Sequence, residues 1–482
     1  MRLPFSLRHI FALLLLAIPA VLAQGLPDLG DSAQAAFTPV QERMLGRSIM
    51  REVRRDPTYY DDAEVTDYVS RVGNRLAAKG PDSRQAFEFF LMRDPQINAF
   101  ALPGGFIGVH TGLIMASQSE SEMAGVVAHE ISHVTQRHIA RMINNQQSSQ
   151  WVSLAALAVA ILAARSSSQA AEAAAAIGPA LAVQQQLNFS RDFEREADRM
   201  GLQLLEKAGF DPQGMSIFFE RLQRATRVYE GGAPSYLRTH PVTFERIADI
   251  QNRAQEMRYR QVPDHIDFHL VRAKLKAEFD TPRDAVAFFR DGLAEKRYLS
   301  EAGSRYGLTT ALMRARDFTG AWQSFIALRI LVKGNPMVDA LGCRIRLAGD
   351  DAEAFKCFRD AVQAYPGSRA LMYEYTEALL QARQAEAALK VVDARLAGSS
   401  DDYRLYLFQA RANALLNRRL AQHRSQAEAY VRMGNTSAAV EQLLIGLKAG
   451  DGDYYQMSSA EARLRQLRVQ DAEERKDSGR KN

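Results

Sequence analysis

The chain has 482 residues, enough for two or three domains at roughly 100–200 residues each. Its 61 Lys+Arg against 56 Asp+Glu give a formal charge of +5 with 24% charged residues, too mild for a nucleic-acid-binding stripe and too mixed for a disordered polyelectrolyte. At 47% hydrophobic there is material for a large core. Two cysteines exclude a disulfide-rich scaffold or a four-cysteine zinc site, and 16 prolines with an alanine- and leucine-rich second half point to a mostly helical protein.

Met1–Ala23 reads as an export signal: Arg2 and Arg8, an apolar run from Ile10 to Ile18, then Val21-Leu22-Ala23 before the cut. The competing reading is a membrane anchor, for which the run is short against a span of about 20 residues. Export implies the periplasm of a Gram-negative cell. The segment carries Arg2 and Arg8 and no acid, so its removal takes the charge from +5 to +3 and the surplus is no sign of an acidic partner.

Residues 24–36 form a loose lead-in, and Val40 to Lys79 shows helical spacing, as in Val65, Tyr68, Val69, Val72 and Leu76. Phe87 to Leu91 predicts a strand. Asn98 to His110 predicts two short strands joined by a Pro103-Gly104-Gly105 turn, and a helix follows from an N-cap at Ser119 or Ser121. Trp151 to Ala164 is apolar and too short to span a bilayer, with an alanine-rich run to Ala176. It reads as a helix buried on this domain, or as a mobile lid or a peripheral membrane contact.

A linker, 258–267, contains Pro263. Beyond it Leu341, Gly342, Ile345, Ala354, Phe358, Ala361 and Pro366 sit at tetratricopeptide-like offsets, and Ala388 follows Ala354 by 34 residues. Roughly four such repeats predict stacked helix pairs with one continuous core. An irregular helical bundle is the alternative. The expected architecture is an α+β domain, mainly helical with a small sheet, over 24–257, an all-α solenoid over 268–469 and a frayed tail over 470–482. Cys343 and Cys357 fall on the two helices of one repeat, where an oxidising compartment permits a disulfide.

His129-Glu130-Ile131-Ser132-His133 carries the chemistry. Four residues of helix separate the imidazoles by about 40° and one turn, so both can reach one zinc ion, while Glu130, about 100° away, can act as general base. Zinc needs a third ligand. Downstream, helical phase puts Glu194 and Asp198 on the inward face, whereas Asp192, Glu196 and Arg199 fall on the polar side. Glu194 would ligate, and Asp198 would accept the second N–H of a zinc histidine. His138, about 140° from His133 on one continuous Met123–Met142 helix, is expected to face solvent or a helix contact. His265 and His269, also four apart, lack a following glutamate and read as non-catalytic.

His129-Glu130-x-x-His133 followed 61 residues after His133 by Glu194-x-x-x-Asp198 resembles the gluzincin family of HtpX-like and CAAX-prenyl-protease-like peptidases. Asn98-Ala99-Phe100-Ala101, Pro103-Gly104-Gly105, Thr239-His240-Pro241 and Arg246-Ile247 are also similar to motifs of that family. The resemblance implies one zinc ion per chain, held by His129, His133 and Glu194, and peptide hydrolysis with Glu130 as proton carrier. It also implies that His240 approaches the metal, either in the fourth position as a latency plug or as an oxyanion donor. By backbone bias Pro241 suits the first turn of a helix, with His240 projecting from its start or facing solvent. Arg246 is a candidate for charge stabilisation or for a structural pair. The strand Phe106–His110 is expected to take an extended substrate by edge pairing. For an exported member with a repeat tail, the resemblance implies unfolded or misassembled outer-membrane proteins as substrates and β-barrel assembly machinery docked on the concave face of the repeats. The alternative function is a repeat-based chaperone or adaptor whose proteolysis is latent.

Overall fold

The structure is a computed structural model that describes residues 37–81, 85–145, 190–226, 235–257, 262–398 and 401–479. The export signal and the Trp151–Ala176 run lie outside the described residues.

The N-terminal part runs α1 (Pro39–Val53), α2 (Ala63–Ala77), β1 (Glu88–Met92), β2 (Ala99–Leu102), β3 (Phe106–His110), α3 (Thr111–Ala116), α4 (Glu120–Thr135) and α5 (His138–Asn145). It continues through α6 (Arg191–Ala208), α7 (Gln213–Thr226), α8 (Ser235–Thr239) and α9 (Phe244–Glu256). The strands form one sheet in the order β1-β3-β2, with β3 parallel to β1 and antiparallel to β2. Gly104 and Gly105 make the β2–β3 turn at φ +77° and +88°; a Cβ on Gly104 would meet the Arg43 backbone at 2.5 Å, so only glycine fits. The central place of β3 corrects the edge-pairing expectation: both its edges are already bonded within the sheet.

Period-two alternation gives the sheet two faces. Phe89, Leu91, Ala99, Ala101, Ile107 and Val109 pack with α2 and α4, while Phe90, Met92, Phe100, Leu102 and Phe106 pack with α1 and α5. Helix α4 starts at Ser119, whose hydroxyl accepts from the Glu122 amide, and is buried from Glu120 to Val134. A helix packed on all sides has no polar face to show. It ends at Thr135, because Arg137 adopts φ +53°, so the expected continuous helix to Met142 is two helices.

The all-α part comprises α10 (Ile266–Phe279), α11 (Pro282–Ala294), α12 (Glu301–Arg314), α13 (Phe318–Leu331), α14 (Pro336–Ala348) and α15 (Ala354–Ala364). Then follow α16 (Arg369–Gln381), α17 (Ala385–Leu396), α18 (Tyr403–Leu415), α19 (Arg419–Arg432), α20 (Thr436–Leu447) and α21 (Tyr454–Gly479). Small residues at the pair contacts (Ala321, Ala354, Ala388, Ala427 and Ala439 are all buried) let neighbouring helices approach. A Cys343–Cys357 disulfide, Cα–Cα 5.5 Å, joins α14 to α15. Helix α21 runs on past Val469 to Gly479, with Leu464 and Leu467 buried and a bond from Thr436 Oγ1 to Glu474 at 3.0 Å. No helix among the described residues is long and apolar enough to cross a membrane.

The array curls back onto the first turns of α2. Lys274 of α10 places Nζ 2.6 Å from both Asp62 and Glu64, Arg344 of α14 lies 3.6 Å from Glu64, Arg369 of α16 bonds Asp67 at 2.6 Å, and Arg404 of α18 bonds Asp61 at 2.8 Å. Four helices of the array thus meet the acidic start of α2.

Candidate metal centre

Two helices bring the donors together. Gly201 of α6 lets that helix approach α4 closely; a Cβ there would sit 3.3 Å from the His129 amide nitrogen. Glu194, one turn into α6, then reaches both histidines: His129 Nε2 lies 3.5 Å from Glu194 Oε2, and His133 Nε2 lies 3.4 Å from Oε1. The two Nε2 atoms are 3.0 Å apart. His240 completes the group, with Nδ1 3.0 Å from Glu194 Oε1 and 3.4 Å from His129 Nε2. All four donor atoms lie within 4.8 Å of one another and all four residues are buried. Buried lone pairs crowded this closely repel unless a cation sits among them, so the donor set fits a divalent metal.

The surrounding residues fix these ligands. His129 Nδ1 lies 2.9 Å from Asp198 Oδ1. Arg246 clamps Asp198 with Nε and Nη2 at 2.7 and 2.8 Å, and its Nη1 lies 2.7 Å from Glu194 Oε2. All three guanidinium nitrogens thus face the Asp198 or Glu194 carboxylates or the Pro241 carbonyl, the arrangement that the structural alternative expects. Burial pushes Asp198 up, but Arg246 and His129 outweigh it and hold the carboxyl below its ordinary range. At Glu194 burial is likewise outweighed, by His240, His129 and His133, and the group stays ionised. Burial pushes His129 down, yet Asp198 and Glu194 bring it to about 9; at His133 burial wins. These opposed shifts describe a pocket that attracts positive charge and holds nitrogen lone pairs ready for it.

Glu130 is fully buried and lies within reach of the Ala101 backbone amide. His240 Nε2 stands 3.5 Å from Oε1. Burial raises the Glu130 pKa above the ordinary carboxylate value, the direction a general base needs near neutrality.

His240 arrives differently from the expected path. It follows the short helix α8, its amide bonded to the Tyr236 carbonyl at 2.8 Å, and α9 begins only at Phe244 behind a Thr243 N-cap. Pro241 is therefore not in a first helical turn. Of the two expected environments of His138 the structure gives the helix contact, against Phe193 of α6, but in another direction: since α4 ends at Thr135, the phase counted from His133 does not apply, and the buried ring turns back to place Nδ1 2.9 Å from His133 Nδ1. Glu196, assigned to the polar side, lies 3.2 Å from His138 Nε2. Sequence reading also missed Tyr236, whose ring stacks on His240 at 4.8 Å and whose buried hydroxyl has no partner among the described residues. An aromatic four residues before the His-Pro pair was its one signal. His265 and His269 stand at the start of α10 beside Asp267 and Asp264, outside the donor group.

The Peptidase family M48 model matches residues 63–254, which contain every residue of this centre. The chain is 32% identical over 448 residues to the Beta-barrel assembly-enhancing protease of Escherichia coli (strain K12), covering 92% of each. This chain belongs to peptidase family M48. It is 41% identical over 254 residues to the Putative beta-barrel assembly-enhancing protease of Vibrio cholerae, covering 53% of this chain and 52% of that one. It is 31% identical over 226 residues to Mitochondrial metalloendopeptidase OMA1 of Schizosaccharomyces pombe, covering 46% and 63%. As an M48 member the chain is a metallopeptidase, and its gluzincin pattern is read in the two histidines of α4 and the glutamate of α6.

Proposed function

We propose that this chain is a periplasmic zinc metalloendopeptidase in outer-membrane protein quality control, degrading misassembled β-barrel proteins and promoting their assembly. The observation that carries the enzymatic reading is the fully buried Glu130 carboxylate beside the closed group of His129, His133 and Glu194. Two imidazoles and a carboxylate suit zinc, one ion per chain. When bound there, zinc would polarise the scissile carbonyl and acidify water. Glu130 would act as the proton carrier, accepting a proton from the attacking water and returning it to the leaving amine. Asp198 orients His129, and Arg246 holds Asp198 and Glu194 in place. With β3 enclosed, β2 is the strand beside α4 that, among the described residues, has an unpaired edge for an extended substrate. The client class rests on the name of the E. coli relative, and the compartment on the Met1–Ala23 signal. The helix pairs, read as tetratricopeptide repeats, would dock the assembly machinery on the surface that α2 leaves free.

The test compares Glu130→Gln with the parent for casein cleavage, zinc content and barrel assembly. Cleavage should fall about 100-fold or more with zinc retained. Unchanged cleavage refutes the assignment.

A second reading, a chaperone or adaptor with latent proteolysis, is favoured by His240. Its Nδ1 faces the ligands and its Nε2 faces Glu130, so the ring stands between metal site and base. His240→Ala should raise cleavage if the ring is a plug; lower cleavage with zinc still bound assigns it to the oxyanion instead.

A further inference from the structure

The break after α4 has a chemical use. His138 opens α5 and lies 2.9 Å, Nδ1 to Nδ1, from His133, with its Nε2 3.2 Å from Glu196 Oε2. Glu196 accepts in turn from Arg141 at 2.9 Å. The His138 ring is fully buried and stacks on Phe193, centroids 4.5 Å apart. His133 presents Nε2 to the donor group, so as a neutral ligand it carries its hydrogen on Nδ1. Two Nδ1 atoms at this distance share one hydrogen. If His133 supplies it, His138 accepts at Nδ1 and carries its own hydrogen on Nε2, aimed at Glu196. The direction of donation is then fixed along the whole chain, from His133 through His138 to the carboxylate.

We propose that His138 is a positioning residue of the metal centre: it accepts the Nδ1 hydrogen of His133 and, backed by Glu196, holds His133 in the tautomer and orientation that offer Nε2 to the metal. The proposal rests on the metallopeptidase site above. The two ligands of α4 are served unequally. His129 leans on a buried carboxylate clamped by Arg246, whereas His133 leans on an imidazole whose carboxylate is 35% exposed at its side chain. His133 is therefore the ligand whose support reaches the surface.

The test uses the full chain, with zinc affinity read by competition against a chromophoric chelator and ring N–H signals read on histidine-labelled protein. His138→Ala should bind zinc about 10–100-fold more weakly and lose the protected His133 Nδ1–H signal. His138→Asn sets an acceptor oxygen near the old Nδ1 position and should restore most of the affinity. Glu196→Gln should fall between the parent and His138→Ala. Thermal midpoints in excess chelator, equal for the Ala and Asn variants, separate ligand support from folding. A parent chain that binds no zinc overturns the site reading and this proposal together. If the parent binds and His138→Ala binds as tightly, the proposal alone falls. It also falls if Ala and Asn lose affinity equally, which would assign the effect to stacking on Phe193.

Discussion

Replacing Lys274 by methionine tests whether the grip of the array on α2 is energetic. The ammonium is buried, with Asp62 and Glu64 each at 2.6 Å. Burial pushes the lysine pKa down, yet Glu64 and Asp62 outweigh it and hold it well above the ordinary value. Methionine keeps the apolar stem and deletes the charge, so two carboxylates at the domain contact lose their nearest cation. Removing one partner of a buried pair costs about 3–5 kcal/mol, because the other is left uncompensated. With m near 2 kcal/mol/M, the urea midpoint of the transition that includes α2 and α10 should fall by about 1.5–2.5 M. The assay is urea unfolding followed by circular dichroism, beside hydrogen exchange of the α2 and α10 amides. Lys274→Met with Glu64→Gln should recover a substantial part of the loss, since one stranded charge is gone. A single mutant within about 1 kcal/mol of the parent, with α2 amides still protected, would refute the reasoning.

Asp198→Asn should weaken zinc binding about 10–100-fold in chelator competition, because an amide no longer supplies the charged acceptor for His129 or the bidentate partner for Arg246. Opening the Cys343–Cys357 link, which closes a loop of sequence separation 14, should cost about 3 kcal/mol, visible as a lower midpoint of the array under reducing conditions and in Cys343→Ser. Burial raises Glu374 from 4.5 to about 7, against the pull of Arg344, and its side chain is 24% exposed. A carboxyl with a raised folded pKa binds its proton more tightly when folded. Its contribution is therefore greatest below about pH 4.5 and is lost as pH rises through about 7. Glu374→Gln should flatten the decline in thermal midpoint between about pH 5 and about pH 8; an unchanged slope contradicts the assignment.

The site was legible where its residues share one helix. His129, Glu130 and His133 are fixed by helical spacing alone, and Glu194 with Asp198 by phase along α6, so pattern and geometry speak about the same object. The helix contact of His138 was one of its two expected environments, but its direction could not be counted from His133: Arg137 takes a left-handed conformation, and every angle counted past it is void. Strand order failed for another reason. Chain order gives β1, β2, β3, but the connection places β3 in the middle, and nothing in the alternation of Phe106–His110 distinguishes a central strand from an edge. Arg246 could be named but not assigned, since its partners stand 48 and 52 residues away. The cations on α2 were invisible altogether: Lys274 is an ordinary surface residue in any periodicity plot, and its partners precede it by more than 200 residues.

That contact sets a limit on how the protein can be divided. The linker marks where one kind of helix packing gives way to another. It does not mark a seam. A fragment ending at residue 257 would carry Asp61, Asp62, Glu64 and Asp67 stripped of the four cations that face them, together with the apolar flank of α2 that α10 covers. Exchanging the repeats for those of another chain would meet the same obstacle, because each replacement has to bring a matching row of positive charge at a matching rise. The N-terminal part and its array can change only in step.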